Sequence, residues 1–450
     1  MKERIISSIR PIYKEQSPKL YIETYGCQMN VNDSEIVAAI MQKAGYSITR
    51  DIGEANVVLI NTCSVRDNAE QRVMGRIEQF GAEKKKRPSL NIGIIGCMAE
   101  RLKERLLENR IVDLVAGPDA YRELPKLLET TASGQQGINV LLSRDETYSG
   151  ISPVRLDKTG VSAYISIMRG CNNVCAFCVV PYTRGAERSR PPGTILDEVR
   201  ELADNGYREI TLLGQNVNSY RSEEMNFSRL LAAVARAASG MRVRFSTSHP
   251  KDMGVDVLET IAGYDNICNS IHLPVQSGST AMLQKMNRKY TRDEYLQKIE
   301  KIREVIPDCS ISTDIIAGFC GETLDDHRHT LSLMETAAFD AAFMFKYSER
   351  PNTRAARHFS DDVPENEKIR RLTEIIDLQS RLSLASHAKE YGQTVEVLVE
   401  DVSKRSENDL CGRTPQNKTV IFPKNHYRAG DLVKVKITEY TQATLKGETV

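Results

Sequence analysis

The sequence predicts an α/β protein built in three successive parts: a parallel-sheet domain, an open (β/α)6 barrel and a small all-β barrel. Three observations carry this expectation. Near-continuous apolar strands alternate with helical segments from Lys19 to about Ala120. The same alternation resumes six times between Val161 and about Tyr347. The last part of the chain then changes to β-branched alternation broken by glycine turns. Strands that are apolar throughout belong in parallel sheets covered on both faces.

In the first part, LYIETYGC reads as a strand ending at Cys27, and NDSEIVAAIMQKAGY as a helix with an Asn/Asp/Ser start. ANVVLINTC is a strand ending at Cys63, followed by a helix from Asn68 to Lys84. NIGIIGC ends at Cys97 and leads into a helix through Asn109; IVDLVAG and AYRELPKLLET supply a fourth strand and a closing helix. Thr130 to Gly160, rich in glycine, serine and turn residues, reads as a linker. The barrel strands are expected at AYISIMRG, EITLLGQNV, RVRFSTSHP, SIHLPVQSG, SISTDIIAGF and AAFMFKYSE, whose following loops share one mouth. Pro364 to Gly392 reads as one long charged helix that leads out of the barrel and separates it from the β-rich end of the chain. There, TVEVLVEDVSK, KTVIFP and DLVKVKITEYTQATLKGETV suit a five-stranded barrel.

Composition narrows the function. The 450 residues carry 61 Lys and Arg against 60 Asp and Glu, a net charge of +1. A bulk polycation is excluded, so contact with nucleic acid requires local patches. No apolar run is long enough to span a membrane, and MKERIISSIRPIYKEQSP lacks the apolar core of a signal peptide. A cytoplasmic protein is expected. In that reducing setting ten cysteines read as metal ligands or buried thiols rather than disulfides.

Cys171, Cys175 and Cys178, in RGCNNVCAFCVVPYTRG after the first barrel strand, are the strongest chemical signal. Three thiolates on one loop can each bind one iron of a cubane cluster and leave the fourth iron open to bind another molecule. The alternative is structural zinc, which normally takes four protein ligands, and no fourth Cys or His lies nearby. Cys27, Cys63 and Cys97 each end a strand, at intervals of one βα unit, and are expected to converge on one edge of the sheet, where such sheets bind ligands. A strand-end cysteine is also often just a small buried hydrophobe. Cys268, Cys309, Cys411 and Cys320 lack ligand spacing and read as structural, with Cys320 an extra thiol near the mouth that would be open to oxidation.

These blocks, ETYGCQMN, LINTCSVRDNAE, IIGCMAERLK, RGCNNVCAFCVVPYTRG, HLPVQSGS and YSERPNTRA, resemble the radical S-adenosylmethionine (SAM) methylthiotransferases, from about Leu20 to the C-terminus. The resemblance implies an N-terminal Rossmann/flavodoxin-like domain over 18–130, a linker over 131–160, a radical-SAM partial barrel over 161–385 and a TRAM/OB-like module over 386–450. It implies two 4Fe-4S clusters, one on Cys171, Cys175 and Cys178 and an auxiliary one on Cys27, Cys63 and Cys97, with SAM as co-substrate. The opening blocks look like the members that methylthiolate C2 of N6-isopentenyladenosine at position 37 of tRNA. Sister members act on threonylcarbamoyladenosine or on a ribosomal-protein aspartate. An iron–sulfur sensor without turnover is a different class, but a sensor needs neither the open-site triad nor a full barrel.

Under that resemblance the strand-end loops should hold SAM: Gly214, Gln215, Asn216, Ser246, His249, Gln276, Ser277 and Asp314, with Gly278 and Gly318 nearby, short polar residues and glycines that admit close approach. Tyr347, Arg350 and Asn352 are expected to face the substrate base. Phosphate contacts are expected from Arg184, Arg188 and Arg190, with a salt bridge to Glu187 as the plain alternative for the last two. In the β module they are expected from Arg413, Lys418, Lys424, Arg428, Lys434 and Lys436, with Phe422 and Tyr427 as stacking rings. Lys84-Lys85-Lys86-Arg87 reads as a solvated run. The partners implied are the tRNA anticodon arm, an electron donor of the flavodoxin or ferredoxin kind and a possible sulfur donor. The chain is expected to be monomeric.

Overall fold

The computed structural model describes residues 17–64, 67–157 and 159–450. They form two compact units, 17–143 with 151–154, and 144–150 with 155–450.

The first unit is a parallel sheet of β1 (Lys19–Tyr25), β2 (Ser47–Ile48), β3 (Val57–Thr62), β4 (Asn91–Gly96), β5 (Leu114–Ala116) and β6 (Gly137–Asn139), in the order β2-β1-β3-β4-β5-β6. Its first five positions follow the flavodoxin-like order, in which β1 and β3 flank the point where the winding reverses and ligands bind. The helices are α1 (Gln28–Lys43), α2 (Asp67–Lys86), α3 (Cys97–Leu102) and α4 (Leu124–Ala132). Val58, Ile60, Ile92, Ile94 and Val115 pack with Val73, Ile77, Phe80 and Met98 into one core.

Two expectations change here. Helix α1 starts at Gln28, directly after Cys27, so the polar run Asn32-Asp33-Ser34-Glu35 lies inside the helix and is buried rather than capping it. Buried polar groups need partners, and this face supplies some: Asn61 Nδ2 donates to Ser34 Oγ (2.9 Å) and to the Asn30 carbonyl (2.8 Å). The expected linker is not a free tether. Gly137–Asn139 adds a sixth strand beside β5, and the Val154 N–H donates to the Glu35 carbonyl.

The second unit holds six parallel strands in two groups. Ser162–Ser166, Glu209–Leu213 and Arg242–Ser246 pair in that sequence, as do Ser270–His272, Ser310–Ala317 and Ala341–Lys346. A bridge between Val243 and Ile267 joins the groups. Ser162–Ser166 and Ala341–Lys346 are therefore the outer strands, and the barrel is open between them. Glu365–Ala388 is the long helix, with Pro364 at its N-cap. Beyond it Thr394–Val402, Asp409–Arg413, Thr419–Pro423, Leu445–Thr449 and Leu432–Tyr440 close into the five-stranded barrel.

The long helix does not separate that barrel from the larger one, contrary to the sequence expectation. Arg242 and Arg244 rise from one large-barrel strand and donate to backbone carbonyls of the small one. Arg242 reaches Arg413 O (2.7 Å), and Arg244 reaches Thr414 O (2.8 Å) and Pro415 O (3.0 Å). Arg244 also pairs with Glu209 at 2.7 Å, both side chains almost fully buried. The small barrel thus accepts hydrogen bonds from guanidinium donors that project out of the large one. Breaking a buried pair leaves an uncompensated charge and costs about 3–5 kcal/mol. Arg244→Ala should therefore lower the thermal midpoint of the second unit in calorimetry, whereas substitution of exposed Lys436 should leave it within a degree or so.

Candidate iron–sulfur and nucleoside site

The cysteine loop follows the short stretch Met168–Arg169. It opens at Gly170, whose φ is +74° and where a Cβ would lie 2.0 Å from the Ala186 carbonyl oxygen. Only glycine fits. Cys171 N–H then donates to Gly185 O (3.1 Å), and Cys178 N–H to Cys175 O (3.1 Å). A second segment, Met286-Asn287-Arg288, wraps the loop from outside. Ala176 N–H donates to Met286 O (2.9 Å), Asn287 Nδ2 to Val174 O (2.8 Å), and Arg288 Nη1 to Cys175 Sγ (3.2 Å).

Arg288 is buried and held on every side. Its Nη2 donates to Pro274 O and its Nε to Tyr290 Oη, both at 2.8 Å, and the Tyr290 hydroxyl donates to Val275 O (2.9 Å). A guanidinium stays charged under such burial, so a fixed positive charge faces the Cys175 sulfur. The Asn173 N–H points at Cys171 Sγ (3.4 Å). Burial raises the thiols: Cys171 to about 11, and Cys178 upward for the same reason. Their binding of a metal group is therefore linked to proton release. Among the described residues no three His, Cys, Asp or Glu side chains surround a single-ion position. A four-iron cluster makes no such demand, since it takes one thiolate per iron. Three thiols beside a buried cation fit that group.

An apolar wall backs the loop. Phe177 meets Phe319 edge-on, and Phe319 meets Tyr347 at 5.0 Å, in a cluster with Ala176, Met282, Met286 and Cys320. Two expectations are corrected. Tyr347 is buried in this wall rather than open at the mouth, and Cys320 is buried in it rather than exposed to oxidants. Arg350 is half-buried, its carbonyl accepting from Thr353, and Asn352 turns the chain at φ +67°.

The strand-end loops divide into fasteners and open groups. Asn216 is buried and braces its neighbours: its Nδ2 donates to Asp252 (2.7 Å) and its Oδ1 accepts from His249 N–H (3.0 Å). A Cβ at Gly214 would strike Met168, so that glycine serves packing. Ser277 is spent on Thr330 and on Ser279 N–H, and Ser246 lies beside Thr247. Gln276, at φ +74°, pairs through its backbone with Asp314 and Ile316. A Cβ at Gly278 would meet the His329 carbonyl, and one at Gly318 the Lys368 side chain. By contrast Gln215 Oε1 and Ser248 Oγ are buried atoms with no partner among the described residues. His249 is pushed down to about 2 by burial, then by Arg288 and Lys251, so its imidazole is neutral.

Asp314 projects from Ser310–Ala317 with Ser312 and Ile316 on one face. His272 bridges to it, with Nε2 3.4 Å from Asp314 Oδ1 and Nδ1 3.0 Å from Ser312 Oγ. On the neighbouring strand Ala342 and Met344 pack into the core, so Phe343 and Phe345 point the opposite way and are exposed. The Phe343 ring lies 5.7 Å from His272. Sequence reasoning alone does not single out His272, Phe343, Phe345 or Arg288.

In the first unit, Gly26 and Gly96 repeat the device at Gly170. A Cβ on Gly26 would lie 2.6 Å from Cys63 Cβ, and one on Gly96 2.7 Å from Thr62 O. The turns carrying Cys27 and Cys97 are thus pressed against the end of β3, which carries Cys63. Cys27 N–H donates to Asn30 Oδ1 (3.3 Å) and Asn30 Nδ2 donates to Asn61 Oδ1 (3.0 Å), tying α1 to the same strand end. Cys63 and Cys97 are buried and Cys27 is exposed.

Most predicted phosphate contacts move elsewhere. Arg184, Arg188 and Arg190 are all buried. Arg190 pairs with Glu198 at 2.5 Å, while Glu187 accepts from Ser219 instead. Arg188 donates to the Arg184 carbonyl. Lys418 is spent on Glu390 at 2.7 Å, Arg413 pairs with Glu400 at 3.1 Å, and Phe422 fills the small barrel's core. In the solvated run Lys84 pairs with Asp113 and Arg87 donates to the carbonyls of Ile52, Gly53 and Ala55, so these two are structural. Lys424, Arg428, Lys434 and Lys436 remain exposed, and between the first two in the chain the rings of His426 and Tyr427 lie 4.2 Å apart, tilted by 33°.

Comparison with known proteins fits this arrangement. Residues 19–117 match the family described as Uncharacterized protein family UPF0004, 165–334 the Radical SAM superfamily and 388–450 the TRAM domain. A tRNA-2-methylthio-N(6)-dimethylallyladenosine synthase of Phocaeicola vulgatus is 56% identical over the whole of both chains. The chain belongs to this synthase family. Synthases of the same name from Bacteroides fragilis and Porphyromonas gingivalis are 54% and 53% identical, covering all of this chain and at least 99% of theirs. Among solved structures, the radical S-adenosylmethionine methyltransferase TsrM of Kitasatospora setae, with tryptophan and a SAM analogue bound, has a TM-score of 0.57 at 14% identity over 73% of each chain. The cobalamin-dependent radical enzyme OxsB has 0.54 at 12% identity, over 81% of this chain and 61% of that one. These two share the fold.

A hydrogen bond from a cation to a thiolate ligand favours the reduced, more negative state of a cluster. Arg288→Met, which keeps volume and removes charge, should shift the midpoint potential of a cluster held on this loop negative by tens of millivolts. A redox titration followed by electron paramagnetic resonance reads the shift.

Proposed function

We propose that this chain methylthiolates C2 of N6-dimethylallyladenosine in tRNA, at position 37 beside the anticodon. The observation that supports this most is the 56% identity over both full lengths to a synthase so named. The reading assigns Cys171, Cys175 and Cys178 to one 4Fe-4S cluster and Cys27, Cys63 and Cys97 to an auxiliary one. When bound, these groups and SAM supply one-electron cleavage of a sulfonium and a place to carry sulfur. The chain's own residues hold and shield. Arg288 and the Asn173 N–H steady two sulfurs of the first set. The Phe177–Phe319–Tyr347 wall keeps water from the loop's apolar side. Gln215 and Ser248 offer unspent acceptors at the strand ends, and neutral His249 supplies no charge that would oppose a sulfonium. The exposed Phe343 and Phe345 rings give the base and its apolar substituent a surface to lie on.

Among the described residues no helix is long and apolar enough to cross a membrane. We take the enzyme to work as a cytoplasmic monomer, served by a separate electron donor and a sulfur source. Of the phosphate contacts expected from sequence, Lys424, Arg428, Lys434 and Lys436 keep the exposure that role needs, with Tyr427 and His426 as stacking rings.

The two cysteine sets separate by experiment. Cys171→Ala, Cys175→Ala or Cys178→Ala should abolish release of 5′-deoxyadenosine from SAM and lose about half the iron after anaerobic reconstitution. Cys27→Ala, Cys63→Ala or Cys97→Ala should lose a similar share of iron, keep SAM cleavage and give no methylthio product by nucleoside mass spectrometry. For RNA, joint substitution of Lys434 and Lys436 by Ala should lower the slope of log affinity against log salt by about 0.7–0.9 per lost phosphate contact. Lys418→Ala should leave that slope unchanged and reduce stability instead.

A further inference from the structure

The helices Val255–Ala262 and Arg292–Val305 follow the two strands that meet at the Val243–Ile267 bridge, so they stand behind the closed seam of the barrel. Between them lies a cleft of about 390 Å³ with Lys251, Lys289, Lys298 and Lys301 on its rim against one lining carboxylate, Glu294. Exposed Val255 and buried Leu258 supply an apolar floor. Local pairing uses part of this charge: Lys251 is 3.7 Å from Asp252, Lys301 meets Glu304 at 2.8 Å, and Lys298 donates to Met253 O (3.1 Å). Lys289 is exposed, on a left-handed turn at φ +61°.

Tyr290 also lines the cleft, and its hydroxyl accepts from Arg288 Nε, while Arg288 Nη1 donates to Cys175 Sγ. Two hydrogen bonds therefore join the cleft to the cysteine loop. We propose that this lysine cleft is the docking surface for an acidic one-electron carrier protein, which delivers its electron to the cluster through Tyr290 and Arg288. The proposal rests on the assignment of a cluster to Cys171, Cys175 and Cys178. At each encounter the carrier is oxidised by one electron and the cluster reduced by one, with no bond made or broken. Position favours a carrier over RNA. The gap that admits a substrate base lies between the outermost strands, Ser162–Ser166 and Ala341–Lys346, whereas the cleft opens between helices that follow the strands at the seam. A carrier docked there leaves that gap free.

The test uses full-length, reconstituted protein and a recombinant bacterial flavodoxin, photoreduced to its hydroquinone. Bleaching of the cluster absorbance in stopped flow gives the rate of reduction, and dithionite serves as a small reductant that needs no docking surface. Lys289→Glu with Lys301→Glu should slow reduction by flavodoxin about tenfold or more at low salt and flatten its salt dependence, as lost electrostatic steering requires. Reduction by dithionite, iron content and tRNA affinity should stay at wild-type values. Lys289→Gln alone should give a smaller slowing in the same direction, which guards against misfolding of the double variant. Unchanged flavodoxin kinetics would overturn the proposal, and weaker tRNA binding with unchanged kinetics would reassign the cleft to RNA. A wild-type protein with no iron at the loop would instead refute the cluster assignment.

Discussion

Three of the six candidate ligand cysteines are placed by one steric constraint: the chain must turn sharply at the carboxyl end of a strand where no Cβ fits. Gly26-Cys27, Gly96-Cys97 and Gly170-Cys171 share the same step, with φ of +146°, +91° and +74° at the glycines. At each, a Cβ would come within 2.7 Å of a neighbouring atom. The glycine admits the close approach and the following cysteine takes its position from it. In the first unit this presses two turns against the end of β3, at the reversal point of a flavodoxin-like sheet. In the second it launches the loop that Met286-Asn287-Arg288 clasps from outside. Packing, electrostatics and the lysine cleft all refer back to where those turns leave the sulfurs.

Around that frame the second unit spends its charges inward. Arg190 with Glu198, Arg244 with Glu209 and Arg371 with Glu322 are buried pairs, and Lys418 with Glu390 is nearly so. All but the first join elements 28 or more residues apart in sequence, and none has charge to spare for RNA. The small barrel is accordingly an integral part of the unit rather than a tethered grip. Its exposed lysines can serve a nucleic acid while its 413–415 carbonyls satisfy the larger barrel's arginines.

The legible parts of the sequence were those set by local rules. Strand alternation, the cysteine at each strand end and the five-strand barrel all follow from periodicity within a few residues. What escaped depends on distance. Arg288 meets Cys175 across 113 residues, and nothing in MNRKY marks it as a partner of a thiol. Arg190 reads as a free cation because its partner Glu198 stands two turns into the next helix. The polar run after Cys27 resembles a helix cap, yet its partners Asn61 and Thr24 belong to strands folded beside it. Phe422 was legible and misread: it alternates with Val420, inward like every second residue of that strand.

The most direct test of the account is an iron anomalous-difference map from crystals of the anaerobically reconstituted protein. The account predicts two separate iron peaks, one against Cys27, Cys63 and Cys97 and one against Cys171, Cys175 and Cys178, with the Arg288 guanidinium still on the Cys175 sulfur. A single peak, or iron at the strand ends held by other residues, would contradict it.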